Sequence, residues 1–131
     1  MSGTYVGPHP ARGGRAHARG LTGEAAAVVA LERDGWSLLA RRLRTAAGEI
    51  DLLAEKDGLL AVIEVKARRT HADAATAIPL RQRRRLIAAA GIALAAHPEW
   101  GRGGVRFDVL VVDAAGRVRR IADAFREGLE D

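Results

Sequence analysis

The 131-residue chain contains no cysteine, which excludes a disulfide framework, a thiolate nucleophile and cysteine ligands for a metal ion. It has no apolar run near the roughly 20 residues that a membrane-spanning helix needs, so no membrane partner is expected. Its first twenty residues lack the apolar segment of a signal peptide. These absences together predict a cytoplasmic protein.

Lysine is also scarce. The chain has 21 basic residues against 16 acidic ones, a net charge of +5, yet Lys56 and Lys66 are its only lysines. A basic balance favours a polyanionic partner such as nucleic acid, although heavy use of Ala and Arg is equally consistent with a GC-rich genome. Because arginine serves almost everywhere else, each lysine is a candidate for a role that arginine would not fill.

The length suits one domain. Residues 1–20 are rich in Gly, Pro and Arg, which predicts a disordered basic tail. We expect a single domain over residues 21–126 and a frayed end at residues 127–131.

Periodicity and turn residues predict the order helix, three strands, helix, two strands. The first helix is expected to begin at Thr22 as N-cap and to end at Gly35. The other elements are predicted at Trp36–Arg44, Glu49–Glu55, Leu59–Arg68, Pro79–Ala96, Val105–Asp113 and Val118–Ala122. The middle strands are apolar on both faces, as in a sheet covered by helices on each side, so we predict an α/β fold.

The hairpin formed by the second and third strands brings charged residues together. Asp57-Gly58 between two apolar runs predicts a two-residue turn. In that register Asp51 lies opposite Glu64, with Cβ atoms about 5 Å apart. Lys66 lies on the same face, roughly 7 Å further along its strand. Two carboxylates and a lysine are therefore expected to converge.

Opposed carboxylates repel, and near apolar residues they are poorly solvated. Protonation of one carboxyl, a neighbouring cation or a bridging divalent metal would relieve the repulsion. Oxygen ligands select Mg²⁺ or Mn²⁺, which activates water at a phosphodiester. Glu24, on the inward face of the first helix, could add a ligand through water. The alternatives are that Glu64 and Lys66 form a simple charge pair, that Asp51 serves a turn and that Glu24 stabilises a helix end.

The motifs resemble a known family. Gly48-Glu49-Ile50-Asp51 followed by Glu64-Val65-Lys66 is similar to the D…(E/D)xK signature of the restriction-endonuclease-like superfamily. The set is closest to the YraN-like family of bacterial proteins, which resembles archaeal Holliday-junction resolvases. The other matching segments are Gly23-Glu24, Ala67-Arg68, Arg81–Leu86, Arg106–Val109, Ile121 and Ala124-Phe125. Position 81 is Arg where that family more often has Lys.

The resemblance implies a restriction-endonuclease-like fold, with a mixed central sheet of about five strands flanked by helices. It also implies metal ligation by Asp51 and Glu64, help from Glu24, and Lys66 as the catalytic lysine. The expected function is then a Mg²⁺- or Mn²⁺-dependent endonuclease acting on DNA, including branched or repair intermediates.

A cluster of arginines opens the second helix, where the positive end of the helix dipole disfavours cations. A phosphate backbone would offset that cost, so nucleic-acid contacts are predicted for Arg81, Gln82, Arg84 and Arg85, together with Arg68. A solvated basic face is the open alternative.

Two other functions remain open. The protein could be a non-catalytic nucleic-acid-binding module, or an adaptor, that retains the nuclease fold. DNA is the expected partner and RNA stays open. Resolution of a four-way junction would need paired cuts and hence a homodimer, for which the sequence shows no self-complementary patch.

Overall fold

The computed structural model describes residues 15–69 and 78–125, with side chains for residues 23–69 and 78–122. Its elements are α1 (Arg15–Arg33), β1 (Ser37–Thr45), β2 (Gly48–Lys56), β3 (Leu59–Ala67), α2 (Leu80–Ala96), β4 (Gly104–Val112) and β5 (Val118–Phe125). This order confirms the predicted α/β fold. Every strand begins within one residue of its prediction, and β5 runs three residues further than expected.

Helix α1 ends as the sequence predicts and begins where it does not. Gly35 has a φ of 90° and donates its N–H to Glu32, while Trp36 donates to Leu31. These two bonds form a Schellman motif, whose left-handed position favours glycine. The predicted start at Thr22 is wrong, because the helix begins at Arg15 and so includes residues 15–20 of the expected tail. The rest of that tail, and the expected frayed end, lie outside the described residues.

The five strands form one mixed sheet in the order β1-β2-β3-β4-β5, consistent with a restriction-endonuclease-like fold. Strands β3 and β4 are parallel, and the other neighbouring pairs are antiparallel. Parallel neighbours need a long crossover, which here contains α2. None of the helices within residues 15–69 and 78–125 is long and apolar enough to cross a membrane.

Each face of the sheet has its own core. Helix α2 packs through Leu86, Ala89, Ala90 and Ala93 on side chains that include Leu60 and Val62. Helix α1 covers the other face, where Ala27 and Leu31 meet residues such as Leu52 and Ile63. The middle strands are thus buried on both sides, which explains their nearly continuous apolar sequence.

Candidate active site

The sheet divides between β2 and β3, and the candidate catalytic residues lie where it divides. The paired register runs from Lys56–Leu59 to Leu52–Ile63, as the Asp57-Gly58 turn predicts, and goes no further. Beyond it, β2 stays paired with β1, and β3 stays paired with β4. We call this division, residues 48–51 of β2 and 64–67 of β3, the fork. Asp51 and Glu64 are the first residue on each side of it.

Asp51 takes the place of a backbone partner in the fork. Its Oδ2 accepts the N–H of Val65 at 2.8 Å, a group that a continued ladder would have bonded to β2. Burial first, and then the charge of Glu64, raises the pKa of Asp51 from 3.8 to about 7, while the Val65 hydrogen bond works in the opposite direction. A buried carboxyl beside a second carboxylate is therefore held near its point of half-protonation at neutral pH.

Glu64 is oriented by two donors. Lys66 Nζ lies 3.1 Å from Glu64 Oε2, and Gln82 Nε2 donates to the same oxygen at 2.6 Å. The Glu64 side chain is 11% exposed and that of Lys66 24%, so this ion pair is largely shielded from water. Gln82, which the sequence analysis grouped with the DNA contacts, thus reaches Glu64 from the first turn of α2. Its contact with nucleic acid stays a prediction.

Glu24 lies at the edge of this group, held by arginines of β1. Arg42 Nε lies 3.1 and 3.2 Å from the two Glu24 carboxylate oxygens, and Arg41 Nη2 lies 3.8 Å from Oε1. The charge of Glu24 also contributes to the raised pKa of Asp51. The three acidic side chains are therefore electrostatic neighbours, although Glu24 is paired with cations.

Arg42 is a residue of this site that was not predicted from the sequence. Its φ of 52° is left-handed, a conformation that costs a non-glycine residue about 1–3 kcal/mol. In the β1–β2 register, where Arg41 pairs with Leu52 and Leu43 with Ile50, Arg42 falls opposite Asp51. The sequence did contain one signal for an inward-facing arginine. Side chains alternate between the two faces of a strand, so one of the consecutive residues Arg41 and Arg42 must face inward.

The arginines of α2 lie beside the fork. Arg81, Arg84 and Arg85 are exposed in the first turns of the helix, which contain no acidic residue. Arg85 crosses Gly48, at the start of β2, so closely that a Cβ on Gly48 would lie 2.9 Å from Arg85 Cδ. Gly48 therefore provides the space in which Arg85 passes over the turn between β1 and β2.

The ion pairs divide the basic residues into two groups. Within residues 23–69 and 78–122, Arg68, Arg69 and the three exposed α2 arginines form no ion pair, whereas the arginines in β1 and β4 are paired with carboxylates. The Arg68 guanidinium donates to the Ala67 carbonyl at 2.9 Å, and the Arg68 backbone N–H donates to the Val112 carbonyl. The unpaired charge of these five arginines thus lies at the end of the sheet that carries the fork, although Arg102, before the amino end of β4, also forms no ion pair with the described residues.

The two carboxylates of the fork have the chemistry of ligands for a divalent cation. In the part of the chain that the structure describes, no group of three or more His, Cys, Asp or Glu side chains is arranged to hold a metal. Two carboxylates with water and substrate phosphate are nevertheless a usual Mg²⁺ environment. All hydrogen bonds and ion pairs that Asp51 and Glu64 make with described residues fall on Oδ2 and Oε2. One oxygen of each is therefore uncommitted, and the donor set fits Mg²⁺ or Mn²⁺.

Comparison with known proteins gives consistent matches over the same region. A UPF0102 protein of Granulibacter bethesdensis is 65% identical over 115 residues, which cover 88% of this chain and 73% of the relative. One from Azorhizobium caulinodans is 50% identical over 84% of both chains. A third, from Rhodopseudomonas palustris, is 45% identical over 81% of this chain and 82% of its own.

The sequence model of the uncharacterised protein family UPF0102 matches residues 23–112, from the residue before Glu24 to the end of β4. That span includes the fork, Gln82 and the arginines of α2. The resemblance to the YraN-like family is thereby confirmed, and the chain belongs to the uncharacterised protein family UPF0102.

Proposed function

We propose that this protein is a metal-dependent endonuclease that hydrolyses phosphodiester bonds of DNA. The observation that carries the proposal is the fork, in which Asp51 and Glu64 each have one oxygen fixed by donors and one uncommitted. A stable fold has no need of two shielded carboxylates side by side. A divalent cation would use both charges and both uncommitted oxygens.

Asp51 and Glu64 would hold Mg²⁺ or Mn²⁺, with Glu24 contributing through water. When bound, the ion supplies neutralisation of phosphate charge and a water of lowered pKa. Hydrolysis adds the oxygen of water to phosphorus and breaks the bond to the leaving sugar oxygen, which takes up a proton. The products are a phosphate monoester and a free hydroxyl.

Lys66 is suited to the charge that develops during this reaction. Its ammonium group lies 3.1 Å from Glu64, the proposed metal ligand, and its side chain is only partly exposed to solvent. A fixed cation in a site with little water stabilises a developing negative charge more strongly than it does in bulk solution. Gln82 fixes the Glu64 carboxylate and thereby the geometry that Lys66 faces.

The arginines support DNA as the substrate. Unpaired cations bind a phosphate backbone with release of the counterions condensed on it, and five arginines without an ion pair among the described residues, Arg68, Arg69, Arg81, Arg84 and Arg85, lie near the fork. The rival function, a nucleic-acid-binding module without catalysis, is favoured by one observation: Lys66 and Gln82 satisfy Glu64 without any metal. Asp51, whose pKa is raised to about 7 by burial and by the charge of Glu64, favours the enzyme, because a divalent cation would offset both effects.

A cleavage screen tests the proposal. Branched, nicked, flapped and single-stranded DNA, with matched RNA, are incubated with the protein in Mg²⁺, in Mn²⁺ and in EDTA, and light scattering records whether the active species is a dimer. We expect metal-dependent cleavage that Asp51→Asn abolishes. Glu99→Gln, the same type of change in an exposed side chain after the far end of α2, is the control. Purified protein that binds these substrates but cleaves none in either metal would establish the binding module instead.

A further inference from the structure

A second feature lies beside the fork, at the carboxyl ends of the parallel strands β3 and β4. The last paired residues there are Ala67 and Val112, and a cavity of about 360 Å³ opens just beyond them. Ligands of open α/β sheets usually bind outside the carboxyl ends of parallel strands. The cavity is lined by residues that include Gly23, Arg68, Arg69, Val112, Asp113 and Gly116.

The charge of the cavity favours an anion. Arg68 and Arg69 form no ion pair within the described residues, and Arg69 is exposed. Asp113 is already committed to its own turn, since its Oδ1 accepts the N–H groups of Ala115 and Arg117, each at 2.9 Å. Its Oδ2 lies 3.6 Å from Arg117 Nε. The cavity therefore offers two guanidinium groups against one neutralised carboxylate.

The size and the other walls favour a nucleotide. A volume of about 360 Å³ is at the lower end of the roughly 300–1,000 Å³ typical of small-molecule sites. Gly23, Val112 and Gly116 present small or apolar surface, and a Cβ on Gly116 would meet nothing within 4 Å. A phosphate on the arginines thus leaves room for a sugar or a base against the remaining wall.

The cavity adjoins the proposed catalytic residues. Gly23 directly precedes Glu24 in α1, and Arg68 follows Lys66 by two residues, about 7 Å along the strand. We propose that this cavity binds the nucleotide unit next to the cleaved bond, with its phosphate on Arg68 and Arg69. The choice of a nucleotide as the ligand rests on the proposed nuclease function. The presence of the cavity and its positive charge are independent of that proposal.

The test is a binding measurement without metal or catalysis. Deoxyadenosine 5′-monophosphate, inorganic phosphate and deoxyadenosine are titrated separately into the full chain in EDTA, followed by NMR of the backbone amides. We expect the nucleotide to shift the amides of Gly23 and Gly116 and to bind at least about tenfold more tightly than the other two ligands. Phosphate that binds as tightly as the nucleotide, or shifts confined to the α2 arginines, would overturn the proposal.

Variants locate the binding in the cavity. Arg69→Gln should weaken nucleotide binding at least about fivefold, whereas Arg102→Gln, an equal loss of charge at the amino end of β4, should not. A Cβ on Gly23 would lie 3.8 Å from Val112 Cβ, an ordinary contact, so Gly23→Ala should fold and keep the site. In Gly23→Leu a longer side chain starts from the same position, and it should fill the cavity and block nucleotide binding. Equal binding by all four variants would contradict the assignment.

The two proposals fail separately. If metal-dependent cleavage is found but the nucleotide leaves the Gly23 and Gly116 amides unshifted, the cavity assignment falls and the nuclease stands. If the nucleotide binds as expected but no DNA is cleaved, the cavity stands as a nucleotide site and the nuclease falls. Melting temperatures of the variants, measured alongside, show whether each retains its fold.

Discussion

Asp51→Asn offers the sharpest check on the fork, because it should stabilise the protein while destroying the proposed function. The substitution removes one charge at nearly constant shape. An asparagine side-chain oxygen can still accept the Val65 N–H that Asp51 Oδ2 accepts at 2.8 Å. The variant no longer pays the free-energy cost of ionising this carboxyl. That cost comes mainly from burial and from the charge of Glu64, which are the two main causes of the raised pKa of Asp51.

The size of the effect follows from that pKa. A rise from 3.8 to about 7 corresponds to an upper limit of about 4 kcal/mol against the folded state once Asp51 is ionised. Partial exposure and the coupling to Glu64 reduce the expected gain to about 2 kcal/mol, or about 5–10 °C in melting temperature. Between pH 3.8 and about 7 the Asp51 carboxyl binds more protons in the folded than in the unfolded state, so its contribution to wild-type stability falls as the pH rises.

Thermal melts in EDTA from pH 4 to pH 9 measure this difference. The variant's advantage should widen up to about pH 7 and stay level above about pH 8. Millimolar Mn²⁺ should stabilise the wild type and leave Asp51→Asn unchanged, because a ligand stabilises only the state that binds it. Asp113→Asn is the control, since its carboxylate is paired with Arg117 and its loss should not stabilise. A destabilised Asp51→Asn variant, together with no metal effect on the wild type, would refute the reasoning.

Three further outcomes are expected. Lys66→Ala should abolish cleavage and leave DNA affinity within a few-fold, because one shielded lysine adds little to a binding footprint; full activity would remove it from catalysis. The double change Arg81→Gln and Arg84→Gln should flatten the slope of log K against log salt by about one to two units, and an unchanged slope would indicate a merely solvated face. Gly48→Ala should displace Arg85, strain a backbone whose φ of 140° disfavours a side chain, and so weaken DNA binding; unchanged affinity would contradict the role given to this contact.

The hairpin was predictable because its turn fixes its register. Asp57 and Gly58 have φ values of 53° and 82°, as a type I′ turn requires, and the pairing that follows is the expected one as far as Leu52–Ile63. Local rules of this kind gave the strand bounds and the end of α1 at Gly35 as well. They depend on residues close together in the chain, which a single sequence displays.

The fork itself was not predictable from that register. Extending it places Asp51 directly opposite Glu64, whereas in the structure Asp51 accepts the N–H of Val65 at the point where the strands stop pairing. Whether two strands separate depends on the other strands they pair with and on the helices that cover them. Rules based on local sequence patterns do not compare the strengths of these competing contacts. The start of α1 at Arg15 and the left-handed φ of Arg42 likewise depart from local propensity, and Arg42 is held by its ion pair with Glu24.

Two buried aspartates show what the fork adds to the fold. Asp108 is 1% exposed, and Arg106 donates to both of its oxygens at 2.9 and 3.0 Å, with Arg120 4.0 Å away. That arrangement compensates a buried charge fully, as stability alone would favour. Asp51 has one backbone donor and faces Glu64, which raises its pKa. The same sheet thus compensates one carboxylate and leaves the other with a pKa raised by burial and by Glu64, and the divalent cation that we propose would offset both effects.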